Sequence, residues 1–586
     1  MHCFRNCYTT VTFALVLLVP FAAVAEGDDA DKNGPGPHFD DVEQYRVSSE
    51  AGVVAADEKR ASEVGAEVLE AGGNAADAGA AALLTLGVTN PFGSGLGGGG
   101  FCLYKRPDDD EPVVLDFRET APGDAHRDMY FVDGEADPDL ARIGGLAVAT
   151  PGEPAGIWSL HSHFGDLDFE DVVQPPLDLA ADGFEVGATL AERIEGRAGD
   201  IEQFDDLAAV LQNENGWLQQ GDLMVREDLA ETLRIFRDEG VRPFYNGEIA
   251  DAIAETVQAH DGKITADDLA SYQLKRRQPV KGRLGDVDVY SMPPPSSGGI
   301  ALAQAFNILE QFDSPDKMLN EDPAYLHLVI EALKHAFADR ARWLGDSDFV
   351  DVPANKLTST DYARELAERI DPESVLDPEE YGTAHPDYDV IGTAHVSAVD
   401  ADDNMLACTT TINTPFGSMV VVPDYGLILN NEMADFNVEP GEPNVFGLIG
   451  TEQNAVEPGK RPLSSMSPTL VVRDGEPTMT LGASGGPMII SGVYFTILHS
   501  LLFDAAPLDA MIAPRMHHQW IPDELRVEVD GLDIIEPLNE KGHNTTVDRI
   551  FSAVQFILRD DDTWIGVTDP RKGGIPAAPD SKGSEP

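Results

Sequence analysis

The amino-acid pattern of the chain changes at Thr393. Upstream, helical segments alternate with loops rich in Pro and Gly; these helices are predicted at 227–239, 248–260 and 324–343. The segment 394–412 instead alternates in part between apolar and polar residues around a turn at 402–404, which predicts a β-hairpin. The pattern therefore indicates an α+β protein with helices packed around paired sheets, and with its strands concentrated late in the chain. No linker or repeat divides the sequence, which favours one large unit.

A strand followed by two helices is predicted near the start of this unit. The apolar run 53–56 reads as a strand, and the helix after it ends at Gly72-Gly73. Asn74, with Asp77 three residues later, is typical of the N-cap of a second helix. The small residues of 78–86 would let that second helix pack tightly in the core.

The N-terminal residues are typical of an exported protein. In residues 1–25, Arg5 precedes an apolar run that closes on small residues at 23–25, as in a secretory signal peptide. Residues 26–43 are acidic and contain Gly and Pro, which indicates a flexible leader. We expect a periplasmic or extracellular protein without a stable membrane span once the signal is removed.

Signal removal would leave two of the four cysteines, Cys102 and Cys408. Two cysteines are too few for a disulfide scaffold. A single disulfide and a pair of buried thiols are both compatible with the sequence.

The charge balance excludes several classes of partner. The chain has 103 Asp and Glu against 40 Lys and Arg, a formal net charge of −63. Such an excess argues against a nucleic-acid binder and against attachment to anionic lipid by a basic face. Lys supplies only 13 of the 40 basic residues. Acid excess with scarce Lys favours a halophile's surface, and an acidic lineage without a special salt requirement is the alternative.

Two glycine-rich stretches invite a functional interpretation. Residues 95–100 fit GxGxxG, but a strand-like segment follows where a dinucleotide site needs a helix, so a tight structural loop is favoured. Residues 482–486 fit GxSxG between an apolar strand and an apolar helix, which is the context of a nucleophilic serine at Ser484. Asp523 and His543 follow in the order that a serine triad needs. The competing interpretation is that Gly485 and Gly486 expose their backbone amides to an anion.

No metal site and no cofactor are predicted. Adjacent residues of an extended segment point to opposite faces, so His517 and His518 would not bind the same metal ion. No Cys or carboxylate cluster completes a site.

The Gly392-Thr393 pair offers a different nucleophile. Cleavage before Thr393 would make its α-amine available as the base for its own hydroxyl. An α-amine typically titrates near pH ~7.7–8.0, so a useful fraction is basic at neutral pH. Alone this signal is weak, because many Gly-Thr pairs begin strands.

The case for Thr393 as a nucleophile is strengthened by several stretches, which in chain order are 70–78, 96–101, 116–122, 392–397, 411–413, 430–436, 460–468, 482–486 and 569–571. Together they resemble the γ-glutamyltransferase family of N-terminal-nucleophile hydrolases. The resemblance implies a four-layer αββα sandwich and a precursor that cuts itself between Gly392 and Thr393. The products would be a large subunit (44–392) and a small catalytic subunit (393–586), which together form a heterodimer.

The resemblance also implies a ping-pong acyl transfer from glutathione or another γ-glutamyl compound to water, an amino acid or a peptide. Thr393 would be the nucleophile, Thr411 would orient it, and the Gly485 and Gly486 amides would hold the oxyanion. The residues that would bind the donor's head group are Arg118, Ser464 and Ser465 for its α-carboxylate and Asn413, Glu432 and Asp435 for its α-ammonium.

Residues 440–460 resemble a lid loop of one branch of the family, in which Phe446 replaces a Tyr found in some members. Alternatives are an acylase for glutaryl β-lactams or a poly-γ-glutamate enzyme of the same fold, a serine esterase that uses Ser484, and a non-catalytic binding protein.

Overall fold

The computed structural model describes residues 39, 41–312, 322–382, 392–442, 448, 450–528, 533–547 and 552–579. The predicted signal peptide and Phe446 lie outside these residues. Of the predicted leader, Val42 and Glu43 belong to a 3₁₀ turn, Val42–Tyr45. No helix in the described part of the chain is long and apolar enough to span a membrane.

Thirteen strands of the described residues build two large sheets. In chain order they are β1 Arg46–Ser49, β2 Gly52–Ala56, β3 Gly99–Lys105, β4 Val113–Phe117, β5 Lys275–Arg277, β6 Val280–Leu284, β7 Val287–Ser291, β8 Ala394–Asp400, β9 Met405–Thr411, β10 Thr469–Arg473, β11 Glu476–Ser484, β12 Ala553–Asp560 and β13 Thr563–Thr568.

The six-stranded sheet has the antiparallel order β5-β4-β3-β9-β8-β2. Its β8–β9 hairpin, predicted from the sequence, lies between strands from the first quarter of the chain. The seven-stranded sheet has the antiparallel order β1-β13-β12-β11-β10-β7-β6 and mixes early and late strands in the same way.

The two sheets pack face to face, and helices cover both outer faces. Helices α1 Lys59–Glu70, α2 Ala75–Thr89 and α3 Glu153–Phe164 lie over the six-stranded sheet. Helix α4 Gly298–Leu309 and helix α6 Met488–Ile497 lie over the other sheet, and α5 Pro323–Trp343 packs on α4. The predicted α+β class and four-layer sandwich are confirmed.

Other short elements surround this core. The remaining helices are Phe169–Asp182, Ala188–Ile201, Asp205–Val210, Glu227–Glu239, Arg242–Tyr245, Glu248–Ala259, Ala266–Ser271, Ala354–Leu357, Thr360–Ala367, Pro378–Tyr381, Pro507–Ile512 and Ile535–Glu540. Short strand pairs join Phe131–Val132 to Glu135–Ala136, Phe184–Glu185 to Leu223–Met224, Gln212–Asn213 to Gly216–Trp217, and Val421–Val422 to Leu427–Ile428. A three-stranded sheet contains Met516–His517, Leu525–Val527 and Thr545–Val547.

The local sequence signals were largely reliable. Asn74 caps α2 as predicted and forms a reciprocal capping box with Asp77. Strands are denser late in the chain, as predicted, since six of the thirteen lie in residues 393–586, one third of the chain, and seven lie before Thr393.

The six-stranded sheet decides between the two states that the sequence left open for the cysteines, a disulfide or a pair of buried thiols. Cys102 on β3 lies directly opposite Cys408 on β9, and the two form a disulfide.

Candidate active site

Nine of the predicted site residues line one cavity, where strand ends of the two sheets meet the loops beyond them. Besides Thr393, Thr411 and Gly486, they are the head-group residues Arg118, Asn413, Glu432, Asp435, Ser464 and Ser465; Arg340, Leu448, Leu463, Met466, Pro487 and Ile489 complete the lining. Gly392 and Gly485, which do not line it, immediately precede Thr393 and Gly486 in the chain.

Thr393 lies just before β8 and is 6% exposed. Its N–H donates to the carbonyl oxygen of Gly93 (3.2 Å). Its Oγ1 lies 3.2 Å from Oγ1 of Thr411, the last residue of β9. The Thr393 backbone has φ 95°, a left-handed conformation that is an outlier for a β-branched residue.

The peptide before Thr393 is pressed against the turn that follows β9. A Cβ added to Gly392 would lie 1.9 Å from the carbonyl oxygen of Asn413, so this position accepts only glycine without a shift of the backbone. Thr411 holds the same turn, because its Oγ1 accepts a hydrogen bond from the Asn413 N–H (2.8 Å).

Arg118 is buried among carboxylates. It follows β4, and its guanidinium donates to Oε1 of Glu432 and to Oδ2 of Asp435, both on the 3₁₀ turn Glu432–Asp435. Burial alone would lower the pKa of Arg118, but these carboxylates more than offset it and raise that pKa above its ordinary value. Burial in turn raises the pKa of Glu432 and of Asp435, against the opposing charge of Arg118.

Ser464 and Ser465 lie on the loop before β10, and a second arginine contacts this loop. Arg340, near the end of α5, donates from Nε to Ser297 Oγ (3.0 Å) and from a terminal nitrogen to Ser465 Oγ (3.4 Å). Ser297 Oγ donates to the Ser464 carbonyl oxygen (2.8 Å). The sequence analysis missed Arg340, because one Arg within a helix gives no sign that it faces a cavity.

Gly485 and Gly486 connect β11 to α6. Both have positive φ, 130° and 57°. No acceptor among the described residues is assigned to either N–H, so both amides can serve an anion at this turn.

Lys572 is a second residue that the sequence analysis missed. Its Nζ, largely shielded from solvent, donates to the Thr393 carbonyl oxygen, to Asp57 Oδ2 and to Ser484 Oγ (2.9 Å). Burial lowers the pKa of Lys572, and Asp57 opposes that shift. Lys572 directly follows the 569–571 stretch of the resemblance, and this adjacency was the available signal.

The three residues of the alternative serine triad do not come together. Ser484 Oγ contacts Lys572. His543 Nε2 instead lies 2.8 Å from His327 Nδ1, and Asp523 lies 3.4 Å from His518 Nε2.

Three buried histidines outside the cavity, His327, His517 and His543, have hydrogen-bond partners in the protein. His517 contacts Ser491 Oγ (2.8 Å) and Gln519 Oε1 (3.0 Å). Among the described residues, His327, Glu331 and His543 form one group close enough to share a metal. The two imidazoles are already hydrogen-bonded to each other, and Glu331 bonds to Lys334 and Tyr381.

Two further carboxyl groups are buried behind the cavity. Burial raises the pKa of Glu119, beside Arg118, to about 8, and it raises the pKa of Glu153, at the start of α3, to about 8. In both groups burial thus favours the protonated, uncharged form.

The chain is similar in sequence to one protein family and to characterised members of it. The family model described as Gamma-glutamyltranspeptidase matches residues 61–578. The glutathione hydrolase proenzyme of Escherichia coli (strain K12) is 41% identical over 537 residues, 90% of this chain and 91% of that protein. Glutathione hydrolase 2 of Arabidopsis thaliana is 36% identical over 600 residues, 98% of this chain and 100% of that protein.

Solved structures agree with the sequence relatives. The cephalosporin acylase from Bacillus halodurans superposes with a TM-score of 0.82 at 26% identity, covering 94% of this chain and 99% of that chain. The Helicobacter pylori gamma-glutamyltranspeptidase has a TM-score of 0.52 at 36% identity, covering 54% of this chain and 90% of that chain. The resemblance seen in the sequence is confirmed, and the chain belongs to the gamma-glutamyltranspeptidase family.

Proposed function

We propose that this protein cuts its own chain between Gly392 and Thr393 and then uses Thr393 to cleave the γ-glutamyl amide of glutathione and related compounds. The observation that supports this most is the convergence of Thr393, Thr411 and the head-group residues on one cavity. Relatives named as glutathione hydrolases and as a proenzyme support the same activity.

The first reaction is self-cleavage. Thr393 Oγ1 attacks the carbonyl carbon of Gly392, the amide C–N bond breaks, and the Thr393 nitrogen takes up a proton to give an ester. Water then hydrolyses the ester, leaving a Gly392 carboxylate and a free α-amine. The left-handed backbone at Thr393 favours this step, since such a conformation costs about 1–3 kcal/mol in the intact chain.

The cut separates a large subunit (44–392) from a small one (393–586). They remain together as a heterodimer because, in both sheets, a block of small-subunit strands lies between strands of the large subunit.

The second reaction is acyl transfer. The new α-amine takes the proton of Thr393 Oγ1, which attacks the γ-carbonyl, while the Thr411 hydroxyl orients the nucleophile. The Gly485 and Gly486 amides donate to the oxyanion, a contribution of roughly 3–4 kcal/mol per donor in comparable sites. The departing amine takes the proton, and water or an amino acid or peptide then releases the γ-glutamyl group.

Charge explains the choice of donor. Arg118 with Ser464 and Ser465 would receive an α-carboxylate, and Asn413, Glu432 and Asp435 an α-ammonium. A zwitterionic head group offers each side of the Arg118 ion pairs a new partner of opposite charge, so binding replaces these buried pairs without leaving a charge unpaired.

The similarity to a cephalosporin acylase favours a second candidate, cleavage of acyl groups that lack the α-amine. The two carboxylates at the cavity argue against it, because such a donor would supply no cation for them.

Residues 1–25 support export to a periplasmic or extracellular location, where the enzyme would meet γ-glutamyl compounds outside the cytoplasm.

Intact mass, N-terminal sequencing and release of 4-nitroaniline from γ-glutamyl-4-nitroanilide test the proposal, with the protein held in low and in high salt. Wild-type protein should contain a chain that begins at Thr393 and should hydrolyse the anilide; Thr393→Ala should do neither. Thr563→Ala, in β13 outside the cavity, is the matched control. Activity that survives Thr393→Ala but not Ser484→Ala would sink the mechanism, and preference for a glutaryl anilide would favour the acylase.

A further inference from the structure

The disulfide joins two strands that the proposed cut assigns to different subunits. Cys102 is the fourth residue of β3 and Cys408 the fourth of β9. They are cross-strand partners in the six-stranded sheet, with Cα atoms 4.2 Å apart and a bond between their sulfur atoms. Both residues are fully buried.

We propose that the mature enzyme is a covalent heterodimer in which the Cys102–Cys408 disulfide joins the large subunit to the small one. This inference rests on the proposed function, because the bond lies within one chain until the peptide between Gly392 and Thr393 is cut. Cys102 then belongs to 44–392 and Cys408 to 393–586. Self-cleavage thus converts an intrachain bond into a link between subunits.

The sequence supplies no competing partner for either sulfur in the mature protein. The other two cysteines, Cys3 and Cys7, belong to the predicted signal peptide. An exported protein also meets the oxidising conditions under which disulfides persist.

The chemistry balances with an ordinary oxidant. The two thiols lose two protons and two electrons, and one S–S bond forms. The oxidant is a disulfide compound of the exporting compartment, which is reduced to its dithiol. Because both sulfurs are buried in the folded sheet, the oxidation belongs to the period before the sheet closes, and reductants have little access to the bond afterwards.

The position of the link ties it to the active site. Thr411 lies three residues after Cys408 on the same strand, and Gly99 and Cys102 occupy the matching positions on β3. The bond therefore fixes the register of β9, whose last residue contacts Thr393, against a strand of the other subunit. It also keeps the two chains connected in denaturant, where the sheets no longer hold them.

A denaturing gel with and without reductant tests the inference, on exported full-length protein that is unfolded in the presence of N-ethylmaleimide, so that any free thiol is blocked as it becomes exposed. Wild-type protein should run near the size of the uncut chain without reductant and as two chains with it. Cys102→Ala and Cys408→Ala should each give two separate chains in both lanes. Thr393→Ala should give one chain in both lanes and marks the uncut size.

The possible failures are distinguishable. Two chains without reductant would overturn the covalent link and leave self-cleavage standing. One chain with reductant would overturn the cut and the intersubunit link together. If the cysteine variants do not fold, proteolysis of unreduced wild-type protein decides the matter: a peptide pair that contains Cys102 and Cys408 supports the link, and two N-ethylmaleimide-modified peptides overturn it.

Discussion

Two buried guanidinium groups face the same cavity, but their surroundings differ. Arg118 is bound by Glu432 and Asp435, whereas Arg340 contacts only hydroxyl groups through its side chain and has no ion pair among the described residues. Burial lowers the pKa of Arg340 to about 10, although the negative charge of Asp435 opposes that shift. A buried cation without an ionic partner is a favourable place for an anion, so Arg340 should strengthen the hold of Ser465 on the donor's α-carboxylate.

Replacing Arg340 by Met should therefore raise KM for a γ-glutamyl anilide about tenfold or more, since a charge-assisted hydrogen bond contributes about 1.5–3 kcal/mol. The change in kcat should be smaller, because Arg340 contacts no reacting atom. Steady-state kinetics beside Arg342→Met, an exposed arginine two residues further along, checks this. Equal KM values in the two variants would contradict a role in donor binding.

The carboxyl of Glu153 predicts a pH dependence of stability. Its pKa is about 8 in the folded protein and near 4.3 in an unfolded chain, so the unfolded state loses its proton first as pH rises. The stability that protonated Glu153 allows is complete below pH ~4 and is lost as pH rises to about 8. Between pH 5 and pH 8, wild-type protein should lose up to about 1.4 kcal/mol per pH unit relative to Glu153→Gln.

Urea denaturation across this pH range measures the difference in the free energy of unfolding. Both proteins should carry Thr393→Ala, so that a single uncut chain unfolds. Parallel pH profiles for wild-type protein and the Gln variant would show that Glu153 is ionised in the folded state.

At the scale of elements, the entry to β8 and the exit from β9 depend on each other. Gly392 touches the Asn413 carbonyl, and the Thr393 and Thr411 hydroxyl groups meet between them. A side chain at 392 would displace the scissile carbonyl from Thr393 Oγ1.

Gly392→Ala should consequently slow self-cleavage by about tenfold or more, equivalent to about 1.4 kcal/mol in the barrier. The rate can be followed by densitometry of reduced gels after synthesis. Gly187→Ala is the matched control, since the added methyl would meet no atom within 4 Å. Wild-type cleavage in Gly392→Ala would show that the contact does not position the scissile bond.

The helices were easier to predict from the sequence than the strands and their pairing. Helix Glu227–Glu239 was predicted to the residue, and the helices predicted at 248–260 and 324–343 each differ at one end by one residue. Strands β6 and β7 were missed within a region interpreted as helices and loops, although β6 alternates in burial. Pairing of β1 with β13 joins residues from opposite ends of the chain, and no local pattern specifies such a partner.

Within the site, the nine predicted residues that line the cavity were named because they lie in motifs that carry the family resemblance. Arg340 and Lys572 were not, since each is a single cation whose role depends on what it meets in space. Sequence motifs therefore located the cavity, and only the fold revealed that Arg340 and Lys572 contact its residues.

At the scale of the whole molecule, charge dominates. A net charge of −63 makes the folded state repel itself, and salt screens that repulsion over a Debye length that falls from about 10 Å at 0.1 M to about 3 Å at 1 M. Halophilic character stays a prediction, and it rests on this charge balance.

The thermal unfolding midpoint should accordingly rise between 0.05 and 1 M NaCl by roughly 5 °C or more, corresponding to a few kcal/mol. Differential scanning calorimetry of the Thr393→Ala chain measures it, with sucrose at matched osmolality as the uncharged control. A midpoint that responds equally to sucrose and to salt would assign the effect to solvent exclusion and would argue against screening.

The position of the small-subunit hairpin between two strands of the large subunit has one more consequence. The β8–β9 hairpin pairs on one side with β2 and on the other with β3. If the subunits parted, all four strands would present unsatisfied backbone groups along apolar, fully buried segments, which is the kind of edge that templates aggregation. For this protein, dissociation would be a route to insoluble material, and persistent pairing of its halves protects its solubility as well as its chemistry.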